Sequence, residues 1–310
     1  MPVLASKFER HPSIWYPDGN IVLVSESCMF RVHKSILQSH SPEFRKMVEI
    51  PPKSIGVDYF DGCPMIHVYD SVSDLTLFLE TIYNQSPNPP FHEDNSVSLT
   101  YIATCLRMGT KYESSRVMQE ALRILRLECP SSYRSLKALQ YRETPLIQEI
   151  GKPGEKYITI LNLARRHKLK LLTPWCIYMC IQLPVETLIR GIVGPDGQRE
   201  KLSDEDLILC IQGKQELIRA CMEVAERFRC DGIVCHEDHC QREMERWENR
   251  RVFSELKDDF FRPDPLGFRD VLFPMDHYKF CRACRTNIDS IRQHQQESIF
   301  LHLPSTLGIW

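Results

Sequence analysis

Four cysteines in the last quarter of the chain make its most specific chemical pattern. Cys281 and Cys284 stand at the two-residue spacing with which a tight turn presents a pair of thiolates to one metal ion. Cys235 and Cys240 form a wider pair, about forty residues upstream, a separation longer than most zinc modules use. Together they offer the ligand number and softness that a tetrahedral structural zinc takes. Cys230, His236 and His239 are near enough in sequence to replace one of the four. The plainer reading is a set of reduced thiols packed as small hydrophobes.

Other reactive side chains lack the neighbours that chemistry needs. Cys28, Cys63 and Cys105 have no adjacent base or oxyanion turn and read as buried thiols. His33 begins a helix within an apolar segment, which suits a structural role. Neither Gly-x-Gly-x-x-Gly nor Gly-x-x-x-x-Gly-Lys-Ser/Thr occurs, and His236-Glu237-Asp238-His239 does not have the His-Glu-x-x-His form. No catalytic residue is assigned and an enzyme is not expected. Arg242, Arg246, Arg250 and Arg251 recur at helical spacing, but Glu243, Glu245 and Glu248 alternate with them, so the stripe reads as a solvated, ion-paired helix face. The balance of 39 Lys+Arg against 41 Asp+Glu gives a net charge of −2 and no global pull on phosphate. Nucleic-acid binding is not expected.

The elements that carry these residues divide into three parts. A chain of 310 residues is long enough for about two domains, at roughly 100–200 residues each. After the Asp18-Gly19-Asn20 turn, the β-branched run Ile21–Val24 reads as a strand buried on both faces, with Met29–Val32 as its hairpin partner. Ile36 and Leu37 mark one short helix; Ser41 caps the next, with Pro42 at its first position and Phe44, Met47 and Val48 turned inward. A strand from Cys63 to Tyr69 precedes helical stripes at Leu75/Phe78/Leu79/Ile82, Leu99/Ile102/Ala103/Leu106 and Met118/Ala121/Leu122/Leu125. From Cys129 to about Arg229 strand signals vanish. Leu171–Val185 is too short for a bilayer and reads as a buried helix. Ser203, followed by Asp204, Glu205 and Asp206, starts a helix carrying Leu207 and Ile211. Beyond Arg229 the composition turns to Cys, His, charge and Pro, broken at Pro263-Asp264-Pro265.

Asp18-Gly19-Asn20-Ile21-Val22-Leu23-Val24, Phe30-Arg31-Val32-His33-Lys34-Ser35-Ile36-Leu37 and Ser41-Pro42-Glu43-Phe44, in that order, resemble the opening of a BTB/POZ domain. The resemblance extends over about residues 14–128. The whole chain also resembles the BTB proteins of mushroom-forming fungi, through Cys281-Arg282-Ala283-Cys284 and the tail Leu303-Pro304-Ser305-Thr306-Leu307-Gly308-Ile309-Trp310, which is one residue short of the family spacing. What the resemblance implies is an α+β fold with a small sheet flanked by helices, self-association, and recruitment of proteins. Met47-Val48-Glu49 is similar to the hydrophobic-x-Glu element by which some BTB adaptors contact a cullin scaffold.

The expected organisation is therefore a BTB/POZ domain over 14–128, an all-helical extension over 129–229, and a Cys-rich C-terminal element over 230–310 with one structural zinc on Cys235, Cys240, Cys281 and Cys284. The expected function is a protein-interaction scaffold or adaptor that forms a homodimer, with Ile36, Leu37, Phe44 and Met47 as apolar anchors of the contact. The alternatives are a transcriptional regulator whose Cys-rich tail touches DNA and a cullin-dependent ubiquitin-ligase substrate adaptor. Met1–Pro12 carries Lys7, Glu9 and Arg10 with no secretion-type apolar core, so the expected location is intracellular, in cytoplasm or nucleus, with no membrane partner. In that reducing setting 13 cysteines are thiols or metal ligands rather than disulfides.

Overall fold

The computed structural model describes residues 8–49, 58–83, 96–142, 144–194, 197–227, 235, 237–253, 264–266 and 279–309. Two compact units emerge, one of the described residues up to Arg126 with Leu146–Gln148, the other of Leu127–Pro145 and the described residues from Glu149 onward.

The first unit is built around β2 (Ile21–Ser25), all five residues of which are buried, as an unbroken apolar run requires. It pairs antiparallel with β3 (Cys28–Val32), Leu23 opposite Phe30, and parallel with β5 (Cys63–Val68), Leu23 opposite Ile66. Gly19 makes the turn into β2 feasible, since a Cβ there would lie 2.9 Å from the Arg31 side chain and 3.0 Å from the Val32 nitrogen. The edges hold two strands that the sequence did not announce. β1 (Glu9–Trp15) lies beside β3 and β4 (Tyr59–Phe60) beside β5, giving the order β1-β3-β2-β5-β4. Pro12 and the charges of Glu9 and Arg10 mask β1 as a strand, and they suit an edge, where the proline costs no ladder bond and the β1–β3 register shifts between Arg10 and Trp15.

Helices α1 (Lys34–His40), α2 (Pro42–Val48), α3 (Val72–Tyr83), α4 (Leu99–Lys111) and α5 (Ser115–Glu128) complete this region. Ser41 caps α2 as expected: its hydroxyl oxygen accepts from the Phe44 N–H at 3.0 Å and donates to the Tyr112 carbonyl at 2.5 Å. That second bond draws α2 onto the core. Phe44 stacks on Tyr112 with ring centroids 4.3 Å apart and meets Phe78 at 5.7 Å. Leu37 and Phe44, both of the expected anchor set, are 0% exposed within the protomer. Their apolar surface is spent inside the protomer. Ile36 and Met47 are half-buried and do reach the surface.

The second unit is helical apart from one miniature hairpin. α6 (Tyr133–Gln140) and α7 (Lys156–Arg166) lead through a 3-10 turn, Lys170–Leu172, to α8 (Thr173–Ile181) and α9 (Val185–Arg190). α8 is buried on every side but Met179, as its uncharged sequence predicts. The expectation of no strand at all is corrected by β6 (Ile192–Val193) and β7 (Arg199–Glu200), which pair antiparallel. Gly191, at φ +73°, starts that hairpin, and a Cβ on it would sit 2.1 Å from the Glu200 carbonyl oxygen. Two-residue strands leave no alternation for a sequence to show.

α10 (Asp204–Arg227) begins at the expected cap, the Ser203 hydroxyl accepting from the Asp206 N–H at 3.1 Å. Its buried face is Asp206, Cys210, Gly213 and Leu217, whereas Leu207 is half-buried and Ile211 is exposed. Arg165 holds the buried Asp206 carboxylate from Nε and Nη2, at 3.0 and 2.6 Å, and Gly213 lets Ile181 and Leu307 close in where a Cβ would meet them at 2.6 and 2.8 Å. Lys156, also buried, bridges Glu128 at 2.8 Å and Glu149 at 2.9 Å, while the Tyr157 hydroxyl donates to Glu128 at 3.0 Å. α11 (Asp238–Phe253) and α12 (Arg282–Thr306) complete the unit; Pro304 sits in the final turn of α12. Among the described residues no helix is long and apolar enough to cross a membrane.

Candidate metal centre

The four cysteines singled out by their spacing converge. The sulfurs of Cys235, Cys240, Cys281 and Cys284 all lie within 4.8 Å of one another, and Cys235 and Cys281 are 3.8 Å apart. A tetrahedral ion with metal–sulfur bonds of about 2.3 Å sets its ligand sulfurs about 3.8 Å apart. The cluster therefore has the dimensions of a four-thiolate site before any ion is considered.

Two helix starts create it. Cys281 is the N-cap residue of α12, its backbone extended at φ −65° and ψ 163°, and its sulfur accepts from the Cys284 N–H at 3.5 Å. This explains the two-residue spacing in physical terms: the sulfur takes the place of a capping oxygen, and the cysteine one turn on faces the same way. Cys240 lies in the first turn of α11, its N–H bonded to the Glu237 carbonyl at 2.9 Å. Cys235 belongs to neither helix; its sulfur accepts from the Glu237 N–H at 3.5 Å and its carbonyl from the Gln241 side chain at 3.3 Å. The two halves are stitched by the Cys281 N–H, which donates to the Cys240 sulfur at 3.1 Å.

The electrostatics favour negative sulfur at Cys281. α11 and α12 both aim their N-terminal ends at the cluster, and the partial positive charge there stabilises thiolates. The bond from the Cys284 N–H holds the Cys281 thiol down at about 7, below its ordinary value. Burial pushes Cys240 and Cys284 the other way. Such buried thiols ionise when a metal takes the proton's place.

Met244, one turn beyond Cys240, and Phe280, just before Cys281, pack against the sulfurs and complete an apolar wall. Sequence reading passed over both, although Met244 shares the helix face of Cys240. Of the suggested substitutes, His239 lies beside the cluster with Nε2 3.4 Å from the Cys240 sulfur, while Cys230 and His236 fall outside the described residues. Of the arginine stripe, Arg246 pairs with Glu243 at 3.6 Å; the side chains of Arg250 and Arg251 also fall outside them.

Elsewhere Cys105 is fully buried, with its thiol pushed up to about 12 by desolvation, and Cys63 is buried, its sulfur directed to the Gly19 carbonyl at 3.4 Å. His33 is held by Asp18 at 3.1 Å and by the Tyr83 hydroxyl at 3.0 Å. The second unit places the Cys129 and Cys176 sulfurs 3.8 Å apart in its core, a pairing across 47 residues that spacing gives no hint of.

Compared with known families, residues 19–125 match the BTB/POZ domain. This span holds the central strands β2, β3 and β5 and the helices α1 to α4, a curled sheet flanked by helices. No curated protein matches the chain.

Proposed function

We propose, from the premise that residues 19–125 form a BTB/POZ domain, that this protein is a recruitment scaffold that self-associates through that domain and presents its helical unit to protein partners. The domain match is the observation that carries the reading. Ile36 on α1 and Met47 on α2 are apolar, half-buried and adjacent to the core residues Leu37 and Phe44, so they are the residues of the expected set that a second copy would cover. The scaffold works by binding, without catalytic turnover and without sequence-specific DNA contact. Light scattering on the full chain at micromolar concentration should give twice the 36.3 kDa chain mass, falling to one chain mass in an Ile36→Asp/Met47→Asp variant. A monomer throughout would reject self-association. Affinity purification from the native cell with mass spectrometry tests recruitment directly.

The Cys-rich end holds one structural zinc per chain on Cys235, Cys240, Cys281 and Cys284. The donor set supports this: four sulfurs at the right mutual distance, two helix N-termini favouring thiolates, and Met244 and Phe280 packed beside them. Four protein ligands leave no open position, so the ion would brace the fold and not activate water. Elemental analysis of protein purified without chelator should find one zinc per chain, and a Cys281→Ser/Cys284→Ser variant should carry none. Zinc absent from the first, or unchanged in the second, would reject the assignment.

A further inference from the structure

The break at Pro263-Asp264-Pro265 gains a meaning from its surroundings. Asp264, Pro265 and Leu266 belong to no helix or strand, yet they are held by named groups on both sides. The Tyr178 hydroxyl of α8 donates to the Asp264 carboxylate and accepts from the Leu266 N–H at 3.4 Å. The Gln296 amide of α12 donates to the Leu266 carbonyl at 2.8 Å. Leu266 itself is 0% exposed.

The receiving groups are set in advance by the helices. Tyr178 is fully buried and stacks on Trp175 with ring centroids 5.3 Å apart. Gln296 is oriented from behind, its oxygen accepting from the Tyr133 hydroxyl at 3.2 Å and from the Lys137 ammonium at 3.0 Å, both on α6, which turns its NH2 toward Leu266. A hydroxyl for an acid, a hydrogen bond to each backbone group of the next-but-one residue, and a dry seat for its aliphatic side chain are the parts of a peptide-recognition site. Pro265 fixes φ between the two anchors, which lowers the entropy lost on docking.

We infer that Tyr178 and Gln296 form a recognition site for an acid–Pro–aliphatic segment, occupied in cis by Asp264–Leu266, and that a partner protein presenting such a segment binds by displacing it. The inference deepens the recruitment reading and rests on it for the partner's role. The cis segment belongs to the same chain as its seat and so competes intramolecularly with any partner segment. Partners must therefore bind tightly or arrive at high local concentration.

The test uses the full chain and a fluorescein-labelled peptide, Arg-Pro-Asp-Pro-Leu-Gly-Phe, read by fluorescence anisotropy. A chain carrying Asp264→Ala and Leu266→Ala vacates the site and should bind the peptide at least tenfold more tightly than the wild-type chain. Adding Gln296→Ala should weaken that binding at least tenfold, and a peptide with alanine for its Asp and Leu should not bind. Equal, weak binding by the vacated and wild-type chains, with the vacated chain folded by circular dichroism, would overturn the inference. Should the vacated chain fail to fold, amide exchange in the wild type decides: millimolar peptide should speed exchange at Leu266, and an unchanged rate overturns the proposal. Neither negative touches the broader recruitment reading, which affinity purification tests through any surface.

Discussion

Replacing Phe44 with alanine should destabilise the BTB domain by about 3–5 kcal/mol, the cost of emptying a fully buried aromatic site. The structure places this residue toward the upper end. Phe44 is 0% exposed and stacked on Tyr112 at 4.3 Å, and a well-formed aromatic pair adds roughly 0.5–1.5 kcal/mol beyond its area. Collapse into the hole is opposed because Tyr112 is itself tied down, its hydroxyl bonded to Asp70 and its carbonyl to Ser41. For a domain of about a hundred residues each kcal/mol moves Tm by roughly 4–8 °C, so the fall is at least about 12 °C. Since the side chain faces its own protomer, the fall should not depend on protein concentration. The assay is a thermal melt of the full chain at concentrations spanning a hundredfold, with amide exchange followed in the segment 28–48 to assign the transition. A Phe44→Ala chain that melts with the wild type but drops to monomer mass in light scattering would refute the reasoning, because it would make Phe44 a contact between copies.

On the proposed zinc assignment, a chelator should lower the stability of the helical unit and leave the BTB transition in place, because Cys240 and Cys281 each sit at a helix start; amide exchange should quicken first at the N-terminal turns of α11 and α12. His11 is the pH-sensitive point of the edge strand. Its Nδ1 accepts from the Ile14 N–H at 3.1 Å, and burial lowers its pKa below 6.5, a shift that Glu80 partly opposes. The unfolded chain therefore takes up the proton first: the stability from neutral His11 is complete above 6.5 and lost as pH falls through the depressed folded value, so the melting difference between pH 7.5 and 5 should shrink in His11→Asn. Lys156→Met should cost about 3 kcal/mol in denaturant titration, the low end for a broken buried pair, since it takes the nearest cation from the buried carboxylate of Glu128 but leaves it the Tyr157 hydroxyl and, at 4.0 Å, Arg142; adding Glu128→Gln should recover part of the loss.

What the sequence could tell followed from how local each determinant is. β2 was readable because burial on both faces leaves an unbroken apolar run, and the Ser41 and Ser203 caps because a cap is decided within four residues. β1 was hidden by Pro12 and by edge charges that protect a strand from mispairing. The buried face of α10 was not readable from apolar residues alone, because it includes Asp206, held by Arg165, and Gly213, which no hydrophobic scale counts as core. Apolar periodicity at Leu37 and Phe44 announced a buried face but could not say what buries it; the answer, Tyr112, stands 68 residues beyond Phe44.

The convergence of the four cysteines was legible for a different reason. Cysteines at metal-ligand spacing narrow the chemistry by residue type alone, even though the 3.8 Å contact between Cys235 and Cys281 crosses 46 residues. The seat of Leu266 had no such advantage. Tyr178 and Gln296 are ordinary residue types, and what they grip at Leu266 is backbone, which every residue carries. Sites that read side chains leave a trace in composition and spacing. Sites that read backbone become visible only when the fold brings donor and acceptor together, as it does for Tyr178 and Gln296 at Leu266.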